Sequence, residues 1–285
     1  MGGRKGGVRA KKWLKHGTKS RSQNLTELFV QNTPTVMKKI RALYRLLDMA
    51  VSTAFHIGRI LALTAWKGED VDRSMRIRQQ WLDGLLPRLG VRVQVSGEPP
   101  DFPCLLMANH RSYLDPVVIV HRVLAFPVAK AEVAEWPIIG YGARLTGVLF
   151  VKRESRESRK NTLHMIGEKL RDGHQVLLFP EGTSGAQPLT QPFRPGGFEV
   201  AAAAGIPVVP VAVHYREPRD HWVGDDTFIR HFLERFGERE MHMALHFGPT
   251  VPPSTGPQMM ATTQGWIDHT LNNIHQQSSN SDARV

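Results

Sequence analysis

The sequence predicts an α/β fold: a mixed, mostly parallel sheet flanked by helices, with an N-terminal amphipathic helical hairpin. Three observations carry this prediction. From Leu105 onward, short apolar runs alternate with helical stretches such as Ser158 to Arg171 and Gly196 to Ala204, the pattern of a sheet covered by helices. Upstream, Val36 to Trp66 is apolar-rich yet crossed by polar residues at helical spacing. The length, 285 residues, suffices for one good core and an appended element. The expected division is a basic disordered arm over 1–35, a helical hairpin over 36–90, an α/β domain over 91–275 and a disordered polar tail over 276–285.

The arm holds the charge. Residues 1–45 carry twelve Lys and Arg against one acid, Glu27, whereas cations and acids balance over the rest, so the whole formal excess of +11 lies at the N-terminal end. Such a patch attracts anionic lipid, at about 1 kcal/mol per cation near the surface, or nucleic-acid phosphate. The first 24 residues are rich in Gly, Lys, Arg and Ser, a composition that stays disordered. They lack the apolar core of a signal peptide, and no Ser or Thr at position 6 completes a myristoylation pattern after Met1-Gly2.

Val36 to Trp66 is long enough for a membrane span, but Arg45, Asp48, His56 and Arg59 interrupt it. A central Arg or Asp costs ~2.5–3.5 kcal/mol against ~0.3–0.6 gained per large apolar residue. Lys38, Arg41, Arg45, Asp48, Ser52, His56 and Arg59 step by three or four along one stripe, opposite Ile40, Leu43, Leu47, Val51, Ala54 and Leu61. An amphipathic helix of this kind suits the bilayer interface. Asp70 to Leu89, with Val71, Met75, Trp81, Leu82, Leu85 and Leu89, is expected to fold back as its partner.

Leu105-Leu106-Met107 reads as a buried strand and Pro116 to Val120 as the start of a helix. Between them stands Asn109-His110-Arg111-Ser112-Tyr113-Leu114-Asp115. Five residues of regular helix turn through about 500°, which would hold His110 and Asp115 roughly 140° apart. They meet only if the chain turns between them. A strand-loop-helix junction does that and places both at the carboxyl edge of a sheet, where α/β folds build sites. Ser112 is the expected N-cap. An imidazole with a carboxylate partner is a ready general base, because the carboxylate fixes the tautomer and stabilises the imidazolium.

Three further strings follow. Gly147 to Arg153 is an apolar strand ending in two cations, and Leu177 to Ser184 is an apolar strand ending in Phe179-Pro180-Glu181-Gly182-Thr183. Gly205 to Val213 is a strand broken by Pro207 and Pro210, which the middle of a sheet tolerates poorly; an edge position or a bulge near a pocket is expected.

The four strings, in this order, resemble the four motifs of the glycerolipid acyltransferases that include 1-acyl-glycerol-3-phosphate acyltransferase. The motifs match at Asn109, His110 and Asp115; at Gly147 and Arg153; at Phe179 to Thr183; and around Pro207 and Pro210. The resemblance covers roughly residues 95 to 250. Phe193-Arg194-Pro195-Gly196-Gly197-Phe198 departs from the pattern, since relatives usually carry a second cation after the Phe.

The resemblance implies an O-acyltransferase. His110, oriented by Asp115, would deprotonate a glycerol hydroxyl as it attacks an acyl thioester. Arg153 would hold the acceptor's phosphate, with Asn109, Glu181, Gly182 and Thr183 completing the acceptor pocket. No cofactor and no metal are required; the co-substrate would be an acyl-CoA or acyl carrier protein thioester. The expected acceptor is 1-acyl-glycerol 3-phosphate, giving phosphatidate, with another lysolipid such as lyso-ornithine lipid as the alternative. The expected partners are the lysophospholipid, the acyl donor and an anionic membrane surface, at the cytoplasmic face of the cell membrane as a peripheral or monotopic protein.

Other classes fit less. A nucleic-acid-binding module would use the basic arm but leaves the four motifs unexplained. A non-catalytic lipid-binding scaffold would have no need of the reactive residues. Cys104, the single cysteine, excludes an intramolecular disulfide framework and sits beside an apolar strand as a buried structural thiol. Ser184 lacks the final glycine of a hydrolase elbow. His242 and His246 have helical zinc spacing, but their segment alternates like a strand, which separates them by roughly 13 Å. Tyr215 to Phe236 is an insertion to which the sequence assigns no role.

Overall fold

The computed structural model describes residues 20–224 and 226–282. Its elements run α1 (Ser20–Lys67), α2 (Val71–Leu89), β1 (Val91–Ser96), β2 (Leu105–Ala108), α3 (Leu114–Arg122) and β3 (Ala125–Lys130). A short 3-10 turn (Ala131–Glu135) leads to α4 (Ile139–Leu145), β4 (Leu149–Val151), α5 (Arg156–Arg171) and β5 (Gln175–Leu178). The chain closes with α6 (Gly196–Ala204), β6 (Val208–Tyr215), α7 (Phe228–Arg235), β7 (Met241–Phe247) and α8 (Gly256–Asp282).

The seven strands form one sheet in the order β1-β7-β6-β2-β5-β3-β4. All pairs are parallel except β6 with β7, so the sheet is mixed and mostly parallel, as the sequence predicts. β2 lies near its centre and is buried along its whole length, the condition of a strand covered on both faces. Its side chains alternate between two cores. Leu106 and Ala108 join α2, α3 and α7 through Leu82, Leu86, Ile119 and Phe232. Leu105 and Met107 join α5, α6 and α8 through Ile166, Phe198 and Ile267. Period-2 alternation in one strand thereby binds two helical layers.

β6 is not the edge strand that its prolines suggest; it lies between β7 and β2. The alternative expectation, a bulge, accounts for it. Val211 pairs with Phe247 and Val208 with Val251, so the partner stretch carries one extra residue. Pro210 sits in that irregularity, where its carbonyl still accepts from the Gly248 N–H.

α1 and α2 form a hairpin. Asp70 caps α2 by accepting from the Arg73 N–H, and Gly90 ends it with φ +79°, a conformation glycine adopts without strain. α1 docks through its polar stripe. Arg45 is buried and donates to the carbonyls of Arg88, Phe236, Glu238 and Arg239. Asp48 pairs with Arg88, Ser52 accepts from the Trp81 indole, and Arg59 donates to Gln80. The opposite face, with Ile40, Leu43, Leu47, Val51 and Phe55, stands 57–68% exposed.

Two segment boundaries differ from expectation. α1 begins at Ser20, inside the segment read as a disordered arm, and α8 continues to Asp282 through the tail read as disordered from Gln276. Both are extensions of long helices, and adding one residue to an existing helix avoids the unfavourable nucleation that an isolated segment faces. Residues 1–19 and 283–285 lie outside the described residues.

Candidate active site

β2 delivers the chain to the carboxyl edge of the sheet, where residues 109–113 turn into α3. Asn109 fixes the start of this loop. Its buried amide donates to the Val213 carbonyl and accepts from the Val213 N–H, at 2.8 and 2.7 Å. It therefore ties β2 to β6 and, with no exposed surface, presents no face to a substrate, unlike the role expected for it.

His110 and Asp115 meet. Nδ1 of His110 lies 2.8 Å from Oδ2 of Asp115, and the carboxylate can only accept, which assigns the proton to Nδ1 and the lone pair to Nε2. No hydrogen bond engages Nε2 among the described residues, and the side chain remains 13% exposed. The ring stacks on Phe179 at a centroid distance of 4.2 Å, which holds its plane.

Asp115 is fully buried yet well served. Oδ2 also accepts from the Arg111 and Ser112 N–H groups at 2.5 and 2.8 Å, and Oδ1 accepts from the Tyr215 hydroxyl at 2.7 Å. Burial and the neighbouring carboxylate push the Tyr215 phenol well above its ordinary range, so it stays a donor. Ser112 is not the N-cap expected. The residue before α3 is Tyr113, with no side-chain cap bond; Asp115 in the first turn folds back onto the two loop N–H groups instead.

Glu181 underpins the same loop. Oε1 accepts from the His110 N–H at 2.8 Å; Oε2 accepts from the Gln191 backbone and amide at 3.1 and 3.2 Å and faces Arg111 at 3.5 Å. Burial pushes its carboxyl upward, against the pull of Arg111 and these N–H donors. With no side-chain exposure, it holds His110 in place and does not form the acceptor surface expected of it.

Arg153 and Arg194 supply the charge. Burial, then the nearby positive Arg194, lowers the Arg153 guanidinium from its ordinary value. Arg194, anchored by its N–H to the Pro180 carbonyl, lies across Gly182. Gly182 has φ +75°, and a Cβ there would stand 2.7 Å from the Arg194 Cζ, so both the turn and the close approach require glycine. Thr183 is exposed beside it. No carboxylate lies within ion-pair distance of either arginine among the described residues, which leaves a site for an anion.

The insertion closes one side. The Trp222 N–H donates to the Arg111 carbonyl, and Ser184 donates to the Trp222 carbonyl at 2.6 Å. Around it, Tyr113, Trp136 and Phe228 form edge and tilted ring contacts at 4.7–6.4 Å. Tyr215, Gln191 and Trp222 have no local sequence signal, because the sheet alone brings them to the loop, whereas Arg194 stands in the Phe193 to Phe198 string that departs from the family pattern. Cys104 is wholly buried, its thiol pushed up to about 12 by burial, which makes it inert as a nucleophile. His242 pairs with Glu240 and His246 with Ser96 on β7, as strand residues.

Known proteins share this sequence pattern and this fold. The Acyltransferase family model matches residues 91–214. A lyso-ornithine lipid O-acyltransferase from Pseudomonas aeruginosa is 34% identical over 209 residues, covering 68% of this chain and 79% of that protein. A protein of the same name from Rhodobacter capsulatus is 35% identical over 156 residues, 51% of this chain and 56% of that one. A 1-acyl-sn-glycerol-3-phosphate acyltransferase from Chlamydomonas reinhardtii is 38% identical over 116 residues, 40% of this chain and 35% of that one. The crystal structure of PlsC, the 1-acyl-sn-glycerophosphate acyltransferase of Thermotoga maritima, superposes with a TM-score of 0.66, covering 85% of this chain and 98% of that one. At 20% identity that likeness establishes the fold.

Proposed function

The chain belongs to the glycerolipid acyltransferase family and is a lysophospholipid acyltransferase, and from that premise we propose that His110 is its general base. The supporting observation is the Nδ1–Asp115 bond, which turns a bare Nε2 outward at the carboxyl edge of the sheet. Nε2 takes the proton of the acceptor hydroxyl as the oxygen attacks the thioester carbonyl. The C–S bond then breaks, and the imidazolium returns the proton to the leaving thiolate. Asp115 stabilises the imidazolium between the two events. Help of this kind is worth ~10²–10⁴ in rate. No covalent enzyme intermediate enters this scheme. The donor is a thioester of coenzyme A or acyl carrier protein, taken as co-substrate.

As acceptor we infer a lyso-ornithine lipid, ahead of the 1-acyl-glycerol 3-phosphate suggested by the motifs. The extent of likeness supports this order: the Pseudomonas protein aligns over 209 residues, the Chlamydomonas protein over 116. Arg153 and Arg194 would grip the anionic group, the carboxylate of ornithine or the phosphate of lysophosphatidate. Lysophosphatidate stays as the second reading, favoured by the paired guanidiniums, which suit a dianion.

The exposed apolar face of α1 supports attachment to a membrane. Thr35–Lys67 is long and apolar enough to cross one. We read it as lying in the interface, because its polar face is bonded to the domain from Lys38 to Arg59, which a crossing helix would have to abandon. Acyl thioesters are cytoplasmic metabolites, so we assign the cytoplasmic face. Transfer from labelled acyl-CoA and acyl carrier protein to a lysolipid panel, read by mass spectrometry, tests the acceptor. Acylated ornithine lipid is the expected product. Phosphatidate alone would move the pathway, and silence on every acceptor would contradict the reading.

A further inference from the structure

A concave surface of 830 Å³ opens between the N-terminal part of α1, the segment after β6 and the approach to β7, lined by six Lys and Arg and three Glu. The acids are already matched: Glu238 by Lys38 at 2.8 Å, Glu217 by Arg219 at 3.6 Å and Glu240 by Arg92 at 2.9 Å. Arg235 is matched as well, by Asp220 beneath the surface. Arg41, Arg216 and Arg239 remain with no carboxylate in ion-pair distance among the described residues. Under them lies Arg45, bonded only to carbonyls and lowered from its ordinary value by burial and then by Arg41. Three guanidiniums therefore line one concavity with no carboxylate in ion-pair distance, above a fourth that is buried.

The rim differs in kind. Met37 lines the cavity and is 52% exposed, and it begins the apolar face that continues through Ile40, Leu43 and Tyr44. A free anion would use the cations and ignore the rim. A molecule with an anionic head and an apolar tail would use both. We propose that this cavity binds the headgroup of an anionic phospholipid of the supporting membrane, its chains lying along α1. The site is separate from the acceptor site. Arg153 follows β4 at one edge of the sheet, whereas the cavity adjoins β7 towards the other.

Calorimetric titration of the full chain with monomeric dihexanoyl-phosphatidylglycerol tests this. Saturable binding is expected, with none for dihexanoyl-phosphatidylcholine. Arg216→Gln/Arg239→Gln should bind roughly 30-fold more weakly while keeping its thermal unfolding midpoint, and Arg153→Gln should bind as wild type does. Equal binding by the double variant, loss in Arg153→Gln alone, or no binding by wild type would overturn the proposal. Inorganic phosphate binding as tightly as the lipid would overturn the lipid assignment and leave a free-anion site. Since Arg153→Gln and turnover report on the acceptor reading separately, failure of either reading is recognisable.

Discussion

Asp115 carries no exposed surface, and its two oxygens accept from His110, Arg111, Ser112 and Tyr215. A buried carboxylate so satisfied keeps a fixed geometry, and the geometry is what His110 needs. Tyr215 is thus a positioning residue that acts through Asp115. Removing its hydroxyl leaves one lone pair of a buried charge unfilled, a loss of about 1.5–3 kcal/mol. For Tyr215→Phe we expect kcat to fall by roughly one to two orders of magnitude with KM for either substrate unchanged. A rise in KM with kcat intact would instead place Tyr215 in the binding surface. At this scale the sequence reveals what is local. His110 and Asp115 are five residues apart, so a turn suffices to join them. Asn109 and Glu181 are visible as unusual residue types, but their partners, Val213 and the His110 N–H, come from other strands. Residue type therefore suggests substrate contact where the fold uses both side chains to brace the loop.

Among the elements, α1 inverts the usual arrangement of a surface helix. Its polar stripe faces the protein, where Arg45 satisfies four carbonyls, and its apolar residues face outward. An uncovered apolar face of this size marks a membrane or partner surface. Leu43→Glu/Leu47→Glu alters two residues more than 60% exposed, so the fold should survive. Flotation with vesicles should nevertheless fall at least tenfold, given the cost of a carboxylate in apolar lipid; undiminished flotation of this variant would mean that another surface holds the membrane. The helical period that identifies the stripe is plain in the sequence. Which side meets the domain is not, because a period gives two faces without assigning either. Pro210 teaches the same lesson: the proline announces an irregularity, and only the pairing of Val208 with Val251 shows it to be a bulge in an interior strand.

For the molecule as a whole, the alternation of apolar runs and helical stretches sufficed to give the sheet class, whereas the strand order β1-β7-β6-β2-β5-β3-β4 depends on long-range pairing that no local pattern encodes. That order sets His214 on β6 and His246 on β7 in partly buried positions, with His221 and His231 in the segment between the two strands. Burial lowers His214, to about 4, as well as His221, His231 and His246; the neighbouring His275 adds to this for His214, and Arg111 for His221. The unfolded chain binds these protons near the ordinary value of about 6.5, whereas the folded chain does not. Protons therefore favour unfolding, and stability is complete above about 6.5 and lost as pH falls from there towards 4. The urea midpoint should drop across this window, and less steeply in His214→Gln. A midpoint flat between pH 7 and pH 5 would show that these side chains are solvated.

The central claim is that His110 removes the proton of the acceptor hydroxyl, and turnover of His110→Ala tests it most directly. The variant should match wild type in circular dichroism and vesicle binding, keep KM for the lysolipid, and lose 10²- to 10⁴-fold in kcat, roughly the share general-base catalysis supplies. Wild-type kcat from the folded variant would contradict the claim.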